Sequence, residues 1–263
     1  MHDGPVLGVI PARLQSQRLP RKPLQPLAGR PLIEWVWRRV SSLELFTTCV
    51  VATDAPEIAA ACARFGARVE LTSADHPSGT DRVAELVARP AYGGYAVVVN
   101  VQGDEPFVTE AEVAGAVAQV RAGFDVGTVA TPVRSLAAWR DPAVVKVVRR
   151  DDGGALYFSR APLPWRRDGD PDAAALGGAG YLRHIGVYAY TPAALARWVA
   201  LPPHPLEATE RLEQLRPLAA GLRIGVAIVG GAVRGVDTAA DLARAEERLR
   251  REEEQRLQPN AET

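Results

Sequence analysis

Short apolar runs alternate with longer stretches whose apolar positions recur at helical spacing, and this rhythm governs the first half of the chain. Val6–Ile10, Cys49–Ala52, Val69–Leu71, Ala96–Val101 and Val126–Pro132 are short and mostly valine-rich, and read as buried strands. Between them the spacing predicts helices over Leu32 to about Leu43, near Glu57–Phe65, over Arg82–Ala88, and from Thr109 to about Arg121. Thr109 is placed to cap the last of these, with Glu110 and Glu112 in its first turn, where carboxylates are favourable. Such alternation predicts an α/β fold, a mostly parallel sheet with helices on both faces.

The rhythm changes after Val133. Val144–Val148 and Leu156–Phe158 read as strands joined by the turn Asp151-Asp152-Gly153-Gly154, and Ile185–Tyr190 adds another. Asp168–Gly180, rich in glycine, aspartate and alanine, is expected to be a mobile loop. Helices over Pro192–Ala200 and Pro205–Ala220, a strand at Ile224–Val229 and a final helix from Thr238 complete the pattern. The expected organisation is a single domain: a ligand-binding half at 1–133, an inserted antiparallel subdomain at 134–220, a return to the core sheet at 221–248, and a charged tail at 249–263 that frays. No internal repeat is present.

At 47% hydrophobic and 24% charged, the 263 residues fall outside the disordered and fibrous classes. Lysine plus arginine and aspartate plus glutamate number 31 each, a balance that argues against nucleic acid as the main partner. An anionic ligand must therefore be held by locally placed cations. Cys49 and Cys62 lack partners at metal-ligand spacing and read as small buried hydrophobes. No apolar run approaches the ~20 residues of a membrane span. The start of the chain lacks the basic and apolar regions of a signal peptide, so a soluble, cytoplasmic protein is expected.

Ligands of open parallel sheets collect beyond the carboxyl ends of the strands. After the first strand, Arg13, Arg18, Arg21 and Lys22 place four cations in a loop restricted by Pro11, Pro20 and Pro23. Guanidinium forks and a compact ammonium suit a polyphosphate, and the loop's position favours that reading over a solvated basic surface. Neither the phosphate-loop motif of the P-loop proteins nor the dinucleotide glycine fingerprint is present, and the latter absence argues against a dehydrogenase. Asp104 follows Gly103 just past the most hydrophobic strand, where a carboxylate can hold Mg²⁺ or simply cap a turn. Asp237 precedes a helix and reads more readily as an N-cap than as a metal ligand. Ser78, Gly79, Thr80 and Arg82 fit either a base-reading loop or an ordinary helix cap.

Several strings together decide among these readings. The segment Pro11–Leu24 matches P-A-R-x-x-S-x-R-L-P-x-K-P-L and resembles the signature loop of the CMP-sugar-acid synthetases. V-Q-G-D-E-P at 101–106, G-V-D-T at 235–238 and H-x-S-G-T-x-R at 76–82 follow in family order. Y-F-S-R-A-P-L-P-W (157–165), R-H-I-G-V-Y-A-Y (183–190) and L-E-Q-L (212–215) resemble the branch acting on 3-deoxy-manno-octulosonate, Kdo. The resemblance, over about Val6 to Arg248, implies a Rossmann-like nucleotide-diphospho-sugar transferase fold. It implies transfer of CMP from CTP to Kdo in lipopolysaccharide biosynthesis, and a homodimer joined through the 134–220 half. It further implies catalytic roles for Arg13, Lys22 and Asp104, with Mg²⁺ on Asp104 and Asp237. CTP would be held by Pro11, Ala12, Arg13, Arg18, Lys22, Ser78, Gly79, Arg82 and Gln102. Gln102, Arg160, His184, Tyr188, Glu213 and Gln214 would take the sugar. Arg21 departs from the family, which often has glycine before the lysine, and this bears on the loop's backbone. A sister enzyme for 8-amino-Kdo or a sialic-type acid, and a non-catalytic nucleotide-binding protein, are the rival readings.

Overall fold

A strand covered on both faces must be apolar at every position, and the first strand, β1 (Val6–Ala12), is buried throughout. The computed structural model describes residues 4–16, 18–231 and 235–257. A two-residue hairpin, β2 (Pro26–Leu27) and β3 (Arg30–Pro31), leads into α1 (Leu32–Ser41). Then come β4 (Thr48–Thr53), α2 (Pro56–Arg64), β5 (Val69–Leu71), α3 (Gly79–Val87), β6 (Val97–Asn100), α4 (Glu110–Arg121) and β7 (Val126–Pro132). The expected capping box forms on α4: Thr109 accepts from the Glu112 N–H, and the Glu112 carboxylate accepts from the Thr109 N–H at 2.6 Å.

After β7 the chain forms α5 (Leu136–Arg140), the antiparallel pair β8 (Lys146–Arg149) and β9 (Ala155–Ser159), α6 (Ala173–Leu176) and the long β10 (Leu182–Tyr190). α7 (Pro192–Ala200), α8 (Pro205–Glu210), α9 (Leu215–Ala219), β11 (Ile224–Ile228) and α10 (Ala239–Leu257) complete it. The strand order is β11-β7-β10-β6-β1-β4-β5. β1, β4, β5 and β6 run parallel, as do β7 and β11, while β10 lies antiparallel between β6 and β7. The antiparallel part is thus threaded into the centre of the sheet.

Two apolar cores result. One lies under α1, α2 and α4, with Ile33, Val36, Ile58, Val113 and Val117 against Ile10, Val97 and Val99. The other lies under α3, α7 and α9, with Val83, Leu86, Leu195, Trp198 and Leu215 against Leu7, Val9 and Val98. Each such side chain contributes roughly 1.5–3 kcal/mol by leaving water.

Three expectations change. The helix predicted over Pro205–Ala220 is broken, because Arg211 takes a left-handed conformation (φ 51°) and ends α8. Glu213 and Gln214 therefore occupy a turn. Within Asp168–Gly180, Asp172 caps the short α6 and Leu176 is buried beside Trp139 and Val133. The tail is helical as far as Leu257, and 258–263 lie outside the described residues. Cys49 is half-buried and Cys62 buried, and burial pushes both thiols up to about 12.

Lys146 in β8 is fully buried without a carboxylate partner in hydrogen-bond reach. Its three protons go to the carbonyls of Asp141 (2.9 Å), Val144 (2.6 Å) and Arg160 (2.6 Å), tying the segment that enters β8 to the one that leaves β9. Lys146→Met would leave the Val144 and Arg160 carbonyls without the ammonium and Asp141 with only the Val144 N–H at 3.1 Å, and we expect it to cost about 2 kcal/mol in urea unfolding. A loss below about 1 kcal/mol would show that the ammonium is not the tie.

Candidate active site

The carboxyl ends of β1 and β6 open into a cavity of about 660 Å³ lined by the phosphate-loop segment, Gln102–Asp104 and Asp237. Gly103 is required there, since a Cβ would lie 2.8 Å from the Pro11 carbonyl oxygen. Lys22 opens a single 3₁₀ turn (Lys22–Leu24) after Arg21, whose φ of 53° is left-handed. This is the conformation glycine adopts freely, so an arginine here costs roughly 1 kcal/mol of backbone strain. Its side chain reaches Glu57 at 3.9 Å, away from the cavity lining.

Three distant segments meet at one ammonium. Lys22 Nζ bonds Asp104 Oδ2 and, at 3.0 Å, Asp237 Oδ1. Arg18 reaches the same Asp237 oxygen at 3.0 Å. Burial alone would lower the Lys22 pKa, but the two carboxylates outweigh it and hold it above its ordinary value. The alignment of Asp237 depends on the backbone: Val236 N–H donates to the Asp104 carbonyl at 2.8 Å. A Cβ on Gly235 would stand 2.5 Å from Glu105 Oε1 and 3.0 Å from the Asp104 carbonyl oxygen, so a larger residue would have to displace the Glu105 carboxyl. The helix cap is Thr238, whose hydroxyl accepts from Asp241 N–H, and Asp237 is left to face Lys22. Burial first, and the neighbouring Asp104, Glu112 and Asp237 next, push the Glu105 carboxyl well above the usual range.

Arg13 lines the cavity and is exposed, with Pro11, Ala12, Arg18 and Gln102 also in the wall. Gly79 lies beside it, its α-carbon facing Pro11 and Gln102. Ser78 caps α3 and, with Thr80, donates to Glu213 at 3.1 and 3.2 Å. Arg82 is placed differently from the expectation. It is 2% exposed, bonded to Thr72 and to the Ser73 carbonyl, and 3.3 Å from Asp54. It braces the loop from inside and is outside the cavity lining.

The residues expected to take the sugar gather on the α3 and α7 face. Tyr188 stacks on Tyr190, and His184 stands between Phe158 (5.1 Å) and Tyr188 (5.3 Å). Thr128 Oγ1 lies 2.8 Å from the Val187 carbonyl and 3.0 Å from His184 Nε2. With its proton directed to that carbonyl, it accepts from Nε2–H of a neutral ring. Burial pushes His184 down to about 3. Glu213 and the buried Gln214 close the wall, and burial raises Glu213 despite its two hydroxyl bonds. Arg160 bonds the carbonyls of Glu210 (2.7 Å), Pro142 (2.9 Å) and Arg211 (3.4 Å), leaving two of its five N–H groups for a ligand.

Sequence reasoning passed over Asn100 and Tyr190. Asn100 is fully buried, its Oδ1 accepts from Gln102 at 3.3 Å, and its Nδ2 has no partner among the described residues. The Tyr190 hydroxyl is enclosed beside it without a well-formed bond. A polar residue ending an all-valine strand was the available signal.

A cytidylyltransferase family profile matches residues 7–224. The chain belongs to that family. Among curated relatives of this cytidylyltransferase, the 3-deoxy-manno-octulosonate cytidylyltransferase of Gemmatimonas aurantiaca is 56% identical, over 92% of this chain and 93% of its own. The protein of that name from Halorhodospira halophila is 48% identical, over 92% and 95%. Among solved structures, a CMP:2-keto-3-deoxy-manno-octonic acid synthetase complexed with CTP superposes at TM-score 0.85 and 36% identity, covering 94% of this chain and 99% of its own. A 4-diphosphocytidyl-2C-methyl-D-erythritol synthase from Anaerococcus prevotii, at TM-score 0.59 and 15% identity, shares the fold alone. No helix among the described residues is long and apolar enough to cross a membrane.

A histidine that titrates near 3 when folded and near 6.5 when unfolded has a definite pH signature. The unfolded chain binds the extra proton between those values, so its contribution is complete above 6.5 and is lost as pH falls towards 3. Between pH 6.5 and 5 this amounts to about 2 kcal/mol. Urea unfolding of wild type and His184→Gln should therefore diverge by about that much over this range, the wild type falling more steeply. Parallel curves would contradict it.

Proposed function

We propose that this chain transfers CMP from CTP to the anomeric hydroxyl of Kdo, giving CMP-Kdo and pyrophosphate. The observation that carries the reading is the cavity in which Arg13, Arg18 and Lys22 face Asp104 and Asp237. The named relatives and the CTP-complexed neighbour support the same substrates. Arg13, Arg18 and Lys22 hold the triphosphate, and Pro11, Ala12, Ser78, Gly79 and Gln102 enclose the base. Arg82 supports that loop from behind. Arg160 offers its spare donors to the sugar carboxylate, a charge-assisted pairing. Gln102, neutral His184, Tyr188, Glu213 and Gln214 bond the hydroxyls, joined by Asn100 and Tyr190, whose partnerless polar atoms suit such a ligand.

The anomeric oxygen bonds to the α-phosphorus as the bond to the pyrophosphate oxygen breaks, and the hydroxyl proton leaves to solvent. The chain contributes alignment and preorganised positive charge. Asp104 and Asp237 fit Mg²⁺, which favours one or two carboxylates plus substrate phosphate oxygens, and a cation already stands between them as the Lys22 ammonium. Mg²⁺ bound there would offset charge on the phosphates and the departing pyrophosphate.

The test is pyrophosphate release with CTP, Mg²⁺ and a panel of Kdo, 8-amino-Kdo and sialic acid. Release with Kdo is expected, lowered at least about 100-fold in Asp104→Ala. Release only with another acid would retire the sugar assignment, and silence from folded, CTP-binding protein would retire the enzymatic one.

The homodimer is part of the same proposal. Leu156, Trp165 and Leu206, 57%, 73% and 39% exposed in the 134–220 half, are the large apolar side chains it would cover. Light scattering should find a dimer in wild type and monomer in Trp165→Asp; a wild-type monomer would remove the proposal.

A further inference from the structure

We propose that Lys22 is the built-in counter-ion of the Asp104–Asp237 pair, so that the pair accepts a divalent cation only when a triphosphate draws Lys22 away. This rests on the reading of that pair as the metal site. One oxygen of each carboxylate, Asp104 Oδ2 and Asp237 Oδ1, already receives the Lys22 ammonium. Arg18 adds a second positive group on Asp237 Oδ1. Two carboxylates facing one ammonium and one guanidinium form a neutral set, half-buried at the Lys22 end, where the side chain is 17% exposed. A divalent ion entering that set meets two like charges with no anion to spare. It also requires metal–oxygen distances of 2.0–2.1 Å, on oxygens that hydrogen bonds hold.

The polyphosphate changes the balance. Lys22 and Arg18 both line the cavity that the triphosphate would fill, and its oxygens offer them a stronger partner. The lysine side chain can turn to them about its own bonds, because its backbone is fixed by Pro23 and the 3₁₀ turn. Cation and nucleotide then bind with positive coupling, and by linkage each raises the affinity of the other equally. Lys22 thus excludes a bare ion from the carboxylates as well as holding phosphate. No group of three or more histidine, cysteine, aspartate or glutamate side chains that could hold a metal ion is gathered among the described residues.

The experiment uses Mn²⁺ as the cation and its free electron-spin-resonance signal as the readout, with no turnover. Wild type, Lys22→Met, Lys22→Arg and the double variant K22M/D104N are titrated without nucleotide. Lys22→Met should bind Mn²⁺ at least tenfold more tightly than wild type, Lys22→Arg should stay as weak as wild type, and the double variant should lose the gain. Thermal melting gives a second reading and checks folding: Mn²⁺ should raise the Tm of Lys22→Met and leave that of wild type unmoved. Equal affinities for wild type and Lys22→Met would overturn the proposal. The metal site itself is judged separately, by whether Asp104→Asn weakens binding of Mn²⁺ with CTP. Should that dependence hold while Lys22→Met gains nothing, the counter-ion role fails and the metal site survives. If Asp104→Asn has no effect with CTP, the metal reading and this one fall together.

Discussion

The contact of Lys22 with Asp104 and Asp237 joins residues 82 and 215 positions from one lysine, and most of the surrounding backbone serves to make it possible. Gly103 lets the chain after β6 press against the end of β1, and Gly235 lets the returning segment press against Asp104 and Glu105. A Cβ at Gly103 would meet the Pro11 carbonyl and one at Gly235 would push on the Glu105 carboxyl, so both glycines help to set where the charges lie. The ion pairs follow from that crowding and do not cause it.

Charge is organised locally in a molecule whose total is zero. Arginine and lysine concentrate where β1 ends, and carboxylates are brought to them from the far side of the chain. The cluster around His184 and Tyr188 is built on a different principle. It contains a neutral histidine, two enclosed tyrosines, a buried asparagine and an uphill-shifted glutamate, all suited to hydrogen bonding and poorly suited to holding net charge. Gln102 lines the cavity beside the cations and also bonds Asn100, so it links the two groups of residues.

Much of this was legible in the residues. The loop Pro11–Leu24 and the strings around Asp104 and Asp237 are contiguous, so their chemistry could be read without knowing the fold. The alternation of strands and helices up to Val133 was equally plain, because each element carries its own period. What escaped depends on contacts between remote segments. Lys146 looks like any strand lysine until three carbonyls close around it. Arg82 looks like a ligand-binding arginine until Thr72 and Asp54 enclose it from a neighbouring loop. The break at Arg211 was hidden because an arginine does not advertise a left-handed backbone, whereas Arg21, standing where the resembled family often has glycine, already drew attention to the backbone of its loop.

The placement of β10 between β6 and β7 has a consequence for how the molecule comes into being. A ribosome that has released residues 1–133 has delivered β1, β4, β5, β6 and β7, yet β6 and β7 are not neighbours and each exposes an unpaired edge. The missing strand arrives about fifty residues later, at Leu182–Tyr190, and the outer strand β11 later still. Pairings of such sequence separation close slowly, and bare edges invite other chains. The nascent protein therefore passes through a stage with a slot in the middle of its sheet, which β10 closes only after the β8–β9 hairpin has been made.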